Sequence, residues 1–174
     1  AAQVASLSVV YLPEWILQLD AELQQAMDPV EVQAIAAAIR KWISEREIYG
    51  PEVAQAIRIL YGRFVDTDNV ADYITLPDID GVFVAYASVP SNHAAEIVLR
   101  AEAVGKELGK NPLVVFNLKM FEYGGCITNY YVKLTQGMGM HIRQTVVVVC
   151  PSFLDIPYLS IYLAESPDAE TGDV

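Results

Sequence analysis

The chain is short of cysteine, histidine and positive charge, and each shortage removes a class of function. Two cysteines, Cys126 and Cys150, cannot build a disulfide framework, so both are read as buried free thiols. The only histidines are His93, at a loop or helix start, and His141, ahead of a strand; both are expected at the surface. Eleven Lys and Arg stand against 22 Asp and Glu, giving a formal net charge of −11 and a pI near 4.4. Such a surface repels phosphate backbones, so nucleic acid is not an expected partner. Long apolar runs are missing too. Thr145–Cys150 has the length of a strand, far short of the roughly 18 residues of a membrane helix. No basic stretch precedes an apolar run near residue 1, so no signal peptide is expected. A cytoplasmic protein, or a recombinant one without a native compartment, is the expected setting. No cofactor and no metal are expected.

What is present is apolar. Hydrophobic residues make up 53% of the 174, and mean hydropathy is +0.30. That permits a large core and favours burial of further apolar surface by self-association. Short β-rich runs alternate with helical patterns. Strands are predicted over Leu7–Tyr11, Ile57–Tyr61, Gly81–Ala85, Leu113–Asn117 and Val146–Cys150. Between them, Val32, Ile35, Ala36, Ile39, Trp42 and Ile43 recur at helical spacing after the Asp28-Pro29 start. Further helices are predicted over residues 51–58, from a Thr67 or Asp68 cap to Ile74, from Ser91 to about Leu108, on a face running from Ile127 to Ile142, and over residues 157–164. Strands that read as continuous apolar runs between helices predict a parallel sheet with crossover helices. The fold class is therefore α/β, with five parallel strands. Residues 1–164 form a single domain, and 165–174 a disordered acidic tail.

Six segments carry a resemblance. Residues 59–65, ILYGRFV, resemble the seventh-strand motif of triosephosphate isomerase, which ends Tyr-Gly-Gly-Ser-Val. Residues 76–89, LPDIDGVFVAYASV, resemble its longer eighth-strand motif, Gln-Pro-Asp-Ile-Asp-Gly-x-Leu-Val-Gly-Gly-Ala-Ser-Leu. VYLPEW at 10–15 is similar to the sixth-strand Tyr-Glu-Pro-Val-Trp, and AAAIRKW at 36–42 to the following helix. FNLKMF at 116–121 is similar to the first-strand Gly-Asn-Trp-Lys-Met-Asn, and VVVCPSF at 147–153 to the second-strand Val-Val-Cys-Pro-Pro-Phe. The resemblance implies units six to eight over residues 1–109 and units one and two over 110–164. Strand eight neighbours strand one in a closed barrel, so this order implies a circularly permuted, partial TIM-barrel-like or opened, rearranged sheet. Nothing resembles strands three to five.

The resemblance also implies what the chemistry would need: a carboxylate base, a neutral histidine, a lysine, and backbone amides around a phosphate. Leu12 stands where the base belongs. Glu14, two residues on, reads as a solvated or partnered loop carboxylate. The histidine has no counterpart. Arg63-Phe64 and Ala85-Tyr86 replace small residues that let phosphate approach. The Gly-rich lid after strand six is replaced by a helix-forming stretch, residues 16–27. Asn117 and Lys119 survive. Lys119 is either an amine nucleophile, suited to imine or retro-aldol chemistry, or a relic that snorkels or pairs with Glu14 or Glu122. Leu12, Glu14, Phe64, Tyr86, Phe116, Leu118 and Phe121 are expected around the mouth of the barrel, as a packed layer or an apolar ligand pocket. The shared direction of these changes implies a non-catalytic, engineered scaffold that assembles as a homodimer through an open sheet face or edge. Alternatives are an isomerase or Lys-amine lyase, and an apolar small-molecule binding module.

Overall fold

The computed structural model describes residues 7–13, 26–85, 91–119, 127–139 and 142–165. Five short strands alternate with six helices along this part of the chain: β1 (Ser8–Tyr11), α1 (Pro29–Ser44), α2 (Gly50–Ala56), β2 (Arg58–Tyr61), α3 (Val70–Ile74), β3 (Gly81–Val84), α4 (Ser91–Leu108), β4 (Leu113–Asn117), α5 (Ile127–Met138), β5 (Val146–Cys150) and α6 (Ile156–Glu165). The strands form one sheet in the order β1-β2-β3-β4-β5, and every pairing is parallel. Neighbouring strands are sequential, as successive βα units require. The sheet does not close among the described residues, so β1 and β5 are its edges.

Local chemistry explains the helix boundaries. Asp28 accepts the Val30 amide at 2.7 Å, and Pro29 occupies the first turn, where its missing N–H costs nothing. α4 and α5 stop where Gly109 and Gly139 adopt φ near +65° and +64°. Ile142 thus lies beyond α5 rather than on its face. The start of α3 differs from expectation as well. Asn69 is the N-cap but makes no side-chain cap bond, and Asp66 Oδ1 instead accepts the Asp68 and Asn69 amides at 2.9 and 3.1 Å.

The core sits on one side of the sheet. Ile59, Tyr61, Val82, Val84, Val114 and Phe116 alternate onto the face that the helices cover, and all are buried. The residues between them point to the other face. There Leu60 and Leu113 are buried at the centre and Phe83 and Val115 are half-buried, while Val10, Val146 and Val148 at the edges are exposed. Exposure on this face is thus concentrated at β1 and β5, because each edge strand has a neighbour on one side only. Two close approaches set the packing. A Cβ on Gly81 would lie 1.9 Å from the Leu113 carbonyl oxygen, and one on Gly137 would lie 2.7 Å from Ala95 Cβ where α4 meets α5.

Buried charge ties the helices to the strand ends. The Arg40 guanidinium, on α1, donates to the carbonyls of Ala54 (2.6 Å) and Ile57 (3.1 Å). It also pairs with Asp78 Oδ1 (3.1 Å) and Asp80 Oδ2 (2.5 Å). Asp80 in turn accepts the Ile59 amide at 2.8 Å, which locks the entry of β3 to β2. Lys110 Nζ donates to the carbonyls of Ile74 (3.0 Å), at the end of α3, and of Leu76 (2.5 Å) and Ile79 (3.4 Å) beyond it. Desolvation lowers its pKa, against the pull of Asp80 and Asp78. Glu102 of α4 is buried and accepts the amides of Arg143 (2.9 Å), Gln144 (3.0 Å) and Thr145 (2.8 Å) just before β5.

Candidate site at the carboxyl ends of the strands

In parallel βα folds, functional groups gather where the strands end. Here those ends are Leu12-Pro13 after β1, Gly62-Arg63-Phe64 after β2, and Asn117 with Lys119 at β4. Leu12 is exposed by 44% but leans across β2. A Cβ on Gly62 would lie 2.8 Å from Leu12 Cδ2 and 2.9 Å from Phe83 Cβ, so these side chains cover the sheet at that point.

Phe64 and Lys119 are the two non-glycine residues with positive φ among the described residues, at 46° and 52°. Both sit in the first residues beyond a strand, in a conformation costly to a side chain with a Cβ. Asn69 Nδ2 holds the Phe64 carbonyl at 2.8 Å. Asn117 Oδ1 accepts the Lys119 amide at 3.0 Å, a local turn that the Asn side chain stabilises. Lys119 is exposed and Asn117 half-buried. Asn117 and Lys119 are thus adjacent in space, with the Asn oxygen used on the backbone.

Phe116 and Leu118 do not line the mouth. Both are buried in the core on the helix-covered face, where alternation about Asn117 sends them. Glu14, Tyr86, Phe121 and His141 lie outside the described residues, as does most of the replaced lid. His93 is exposed in the first turn of α4.

Several groups here carry no motif of their own. Arg63 Nη1 donates to the Pro13 carbonyl at 2.5 Å while its guanidinium lies 4.9 Å from the Phe64 ring centre. On the helix side, Tyr61 OH accepts the Met27 amide at 2.9 Å, and Tyr73 OH donates to the Met27 carbonyl at 2.7 Å. The two rings stack at 4.3 Å. Burial, ahead of the charge and hydrogen bond of its partner, pushes the Tyr73 phenol well above its usual range, and burial likewise raises Tyr61. Both phenols are therefore neutral anchors for the chain that enters α1. Only the spacing of Tyr11, Tyr61 and Tyr73 on core positions could have hinted at this in the sequence.

A cleft of about 280 Å³ opens at the opposite end of the sheet, among Arg58, Asp80, Lys110, Asn111 and Pro112. It lies by the strand entries, where barrel residues serve stability. Among the described residues no group of three or more His, Cys, Asp or Glu side chains is placed to hold a metal ion. No helix among them is long and apolar enough to cross a membrane.

Parallel strands in sequential order with helices on one face define a segment of a βα barrel. A sequence model of triosephosphate isomerase matches residues 1–101, and the chain belongs to that family. The triosephosphate isomerase of Symbiobacterium thermophilum is 40% identical over 102 residues, covering 58% of this chain and 38% of the relative. Those of Nocardia farcinica and Trichlorobacter lovleyi are 34% and 36% identical over 108 and 98 residues, covering 38% and 37% of their lengths. The chain thus spans less than two-fifths of the relatives it matches.

Proposed function

We propose that this chain is a non-catalytic barrel segment, a scaffold of rearranged and engineered triosephosphate isomerase parts that associates with a second copy through its open sheet. One observation carries the reading. The group at the position of the family's base is Leu12, and it lies over Gly62 and Phe83 as part of an apolar cover. A leucine accepts no proton, and that cover leaves no carboxylate there among the described residues. The parallel pairing of β3 with β4 supports a permuted unit order of six, seven, eight, one, two within a single domain over residues 1–164. A cytoplasmic setting belongs to the same reading. The test is an isomerase assay on purified protein with a triose phosphate. The expected result is no turnover above blank, and turnover abolished by Lys119→Ala would overturn it.

A second reading has its own support. The relatives are named triosephosphate isomerase, and Asn117 and Lys119 remain together at the end of β4. On that reading the chain retains isomerase activity, or Lys119 serves as an imine-forming amine. Borohydride trapping of a triose adduct on Lys119, read by mass, would favour it. No adduct with several aldehydes would count against it.

A further inference from the structure

The strand entries hold a feature that stability alone does not use. The cleft of about 280 Å³ lies between the end of α2, the end of α3 and the loop ahead of β4. Its floor is apolar: Ile74, Ile79 and Pro112 are buried, and Ile57 is half-buried. Arg58, Asp80, Lys110 and Asn111 supply most of its polar lining. A few convergent polar groups over an apolar floor make up a small-molecule site. The volume falls just under the roughly 300–1,000 Å³ of pockets for drug-sized ligands, so the occupant is small.

The charges in and around this cleft are not all spent. Lys110 Nζ commits its three N–H donors to the carbonyls of Ile74, Leu76 and Ile79. Asp80 Oδ2 accepts from Arg40 and from the Ile59 amide. Asp78 pairs with Arg40 through one oxygen and accepts from Gln33 through the other. Arg58 is left over. It is half-buried, and among the described residues its guanidinium makes no hydrogen bond, ion pair or ring contact. Arg40, Lys110 and Arg58 thus stand against Asp78 and Asp80, which leaves one positive charge unmatched in a chain whose net charge is −11.

The chemistry of that charge selects the ligand. A guanidinium is a planar fork of donors that fits a carboxylate in a bidentate pair. A single negative charge completes the balance, whereas a doubly charged phosphate would be repelled by Asp80 in the same cleft. We infer that the cleft binds a small aliphatic monocarboxylate, with its carboxylate on Arg58 and its hydrocarbon chain over Ile57, Ile79 and Pro112. This site is separate from the carboxyl ends of the strands and does not depend on whether those are catalytic.

Titration of the isotope-labelled whole chain with sodium butyrate at fixed ionic strength, followed by residue-resolved NMR, tests it. Saturable shifts are expected at the amides of Ile57, Arg58, Ile79 and Asn111, with a Kd on the order of 1 mM. Butylammonium and inorganic phosphate should each bind at least tenfold more weakly. Arg58→Gln should weaken butyrate binding about tenfold. Asn111→Asp, on an exposed residue, should weaken it about threefold by adding a carboxylate at the rim, and it keeps the test decisive if Arg58→Gln does not fold. Shifts confined to other residues, or no saturable shift up to about 50 mM butyrate, would overturn the site. So would undiminished binding by Arg58→Gln or, if that variant unfolds, by Asn111→Asp. Phosphate or butylammonium binding as tightly as butyrate would overturn the assigned class of ligand.

Discussion

Glu102 shows how one buried carboxylate can organise a strand entry. Burial raises its pKa, but the amides of Arg143, Thr145 and Gln144 outweigh that and hold it near 2. The Lys106 ammonium, 3.3 Å away and half exposed, adds little. A carboxyl that titrates at 4.5 when free and near 2 when folded contributes about 3 kcal/mol to stability. The sign follows from the depressed value. The contribution is complete above about pH 4.5 and disappears as the pH falls towards 2. Glu102→Gln should therefore lower stability by about 2–3 kcal/mol at pH 7, where urea unfolding reads it. The gap between the two proteins should narrow below pH 4.5, and a constant gap down to pH 2.5 would refute the assignment. Nothing in the sequence singled this residue out. It sits on the helical repeat of α4 among alanines, and its partners are backbone amides some 40 residues away, which no side-chain pattern encodes.

At the scale of elements, the joints between helices and sheet hold most of the specificity. Arg40 reaches from α1 to the carbonyls of Ala54 and Ile57 and to Asp78 and Asp80. Arg40→Met removes the cation and leaves two half-buried carboxylates facing each other, so a loss of about 3 kcal/mol is expected in urea or thermal unfolding. A loss under 1 kcal/mol would show the pair to be merely superficial. α4 and α5 meet through Gly137 and Ala95. Gly137→Ala should cost about 1–3 kcal/mol by overpacking, and adding Ala95→Gly should restore part of it in a double-mutant cycle. The elements themselves were largely legible. Strand spacing, Pro29 after Asp28 and Gly109 after α4 carry direct backbone meaning, whereas α5 stops at Gly139 and not at Ile142, where the apolar face led the expectation. The candidate site was less so. Leu12, Phe64, Asn117 and Lys119 do fall at strand ends, but Phe116 and Leu118 turn inward. Assigning them to the mouth overlooked the two-residue period of the very strand that carries Asn117. The Asp66–Asn69 turn before α3 was missed for a different reason, since several polar residues there compete for the same cap.

For the molecule as a whole, the decisive property is that, among the described residues, a barrel-type sheet is left open at both edges. Hydrogen-bond parity makes the two edges separately observable. Val146 N donates to Pro112 O and Leu118 N donates to Cys150 O, so residues 146, 148 and 150 face β4. The amides of Val147 and Val149 then point away from the sheet. At the other side, Leu7 O and Tyr11 O accept from Arg58 N and Gly62 N, so the amides of Ser8 and Val10 point outward. An amide without a partner exchanges with solvent at a rate set by local opening, close to that of an unfolded chain. Dilution should then separate two cases. If β5 pairs with its copy, Val147 and Val149 become protected as concentration rises, while Ser8 and Val10 exchange fast throughout. Central amides of β2, β3 and β4 should stay slow at every concentration, because their strands have neighbours on both sides. Residue-resolved hydrogen exchange across a hundredfold dilution series reads this directly. Protection appearing at Ser8 and Val10 instead would move the seam to β1, and concentration-independent fast exchange at both edges would mean that neither edge is paired.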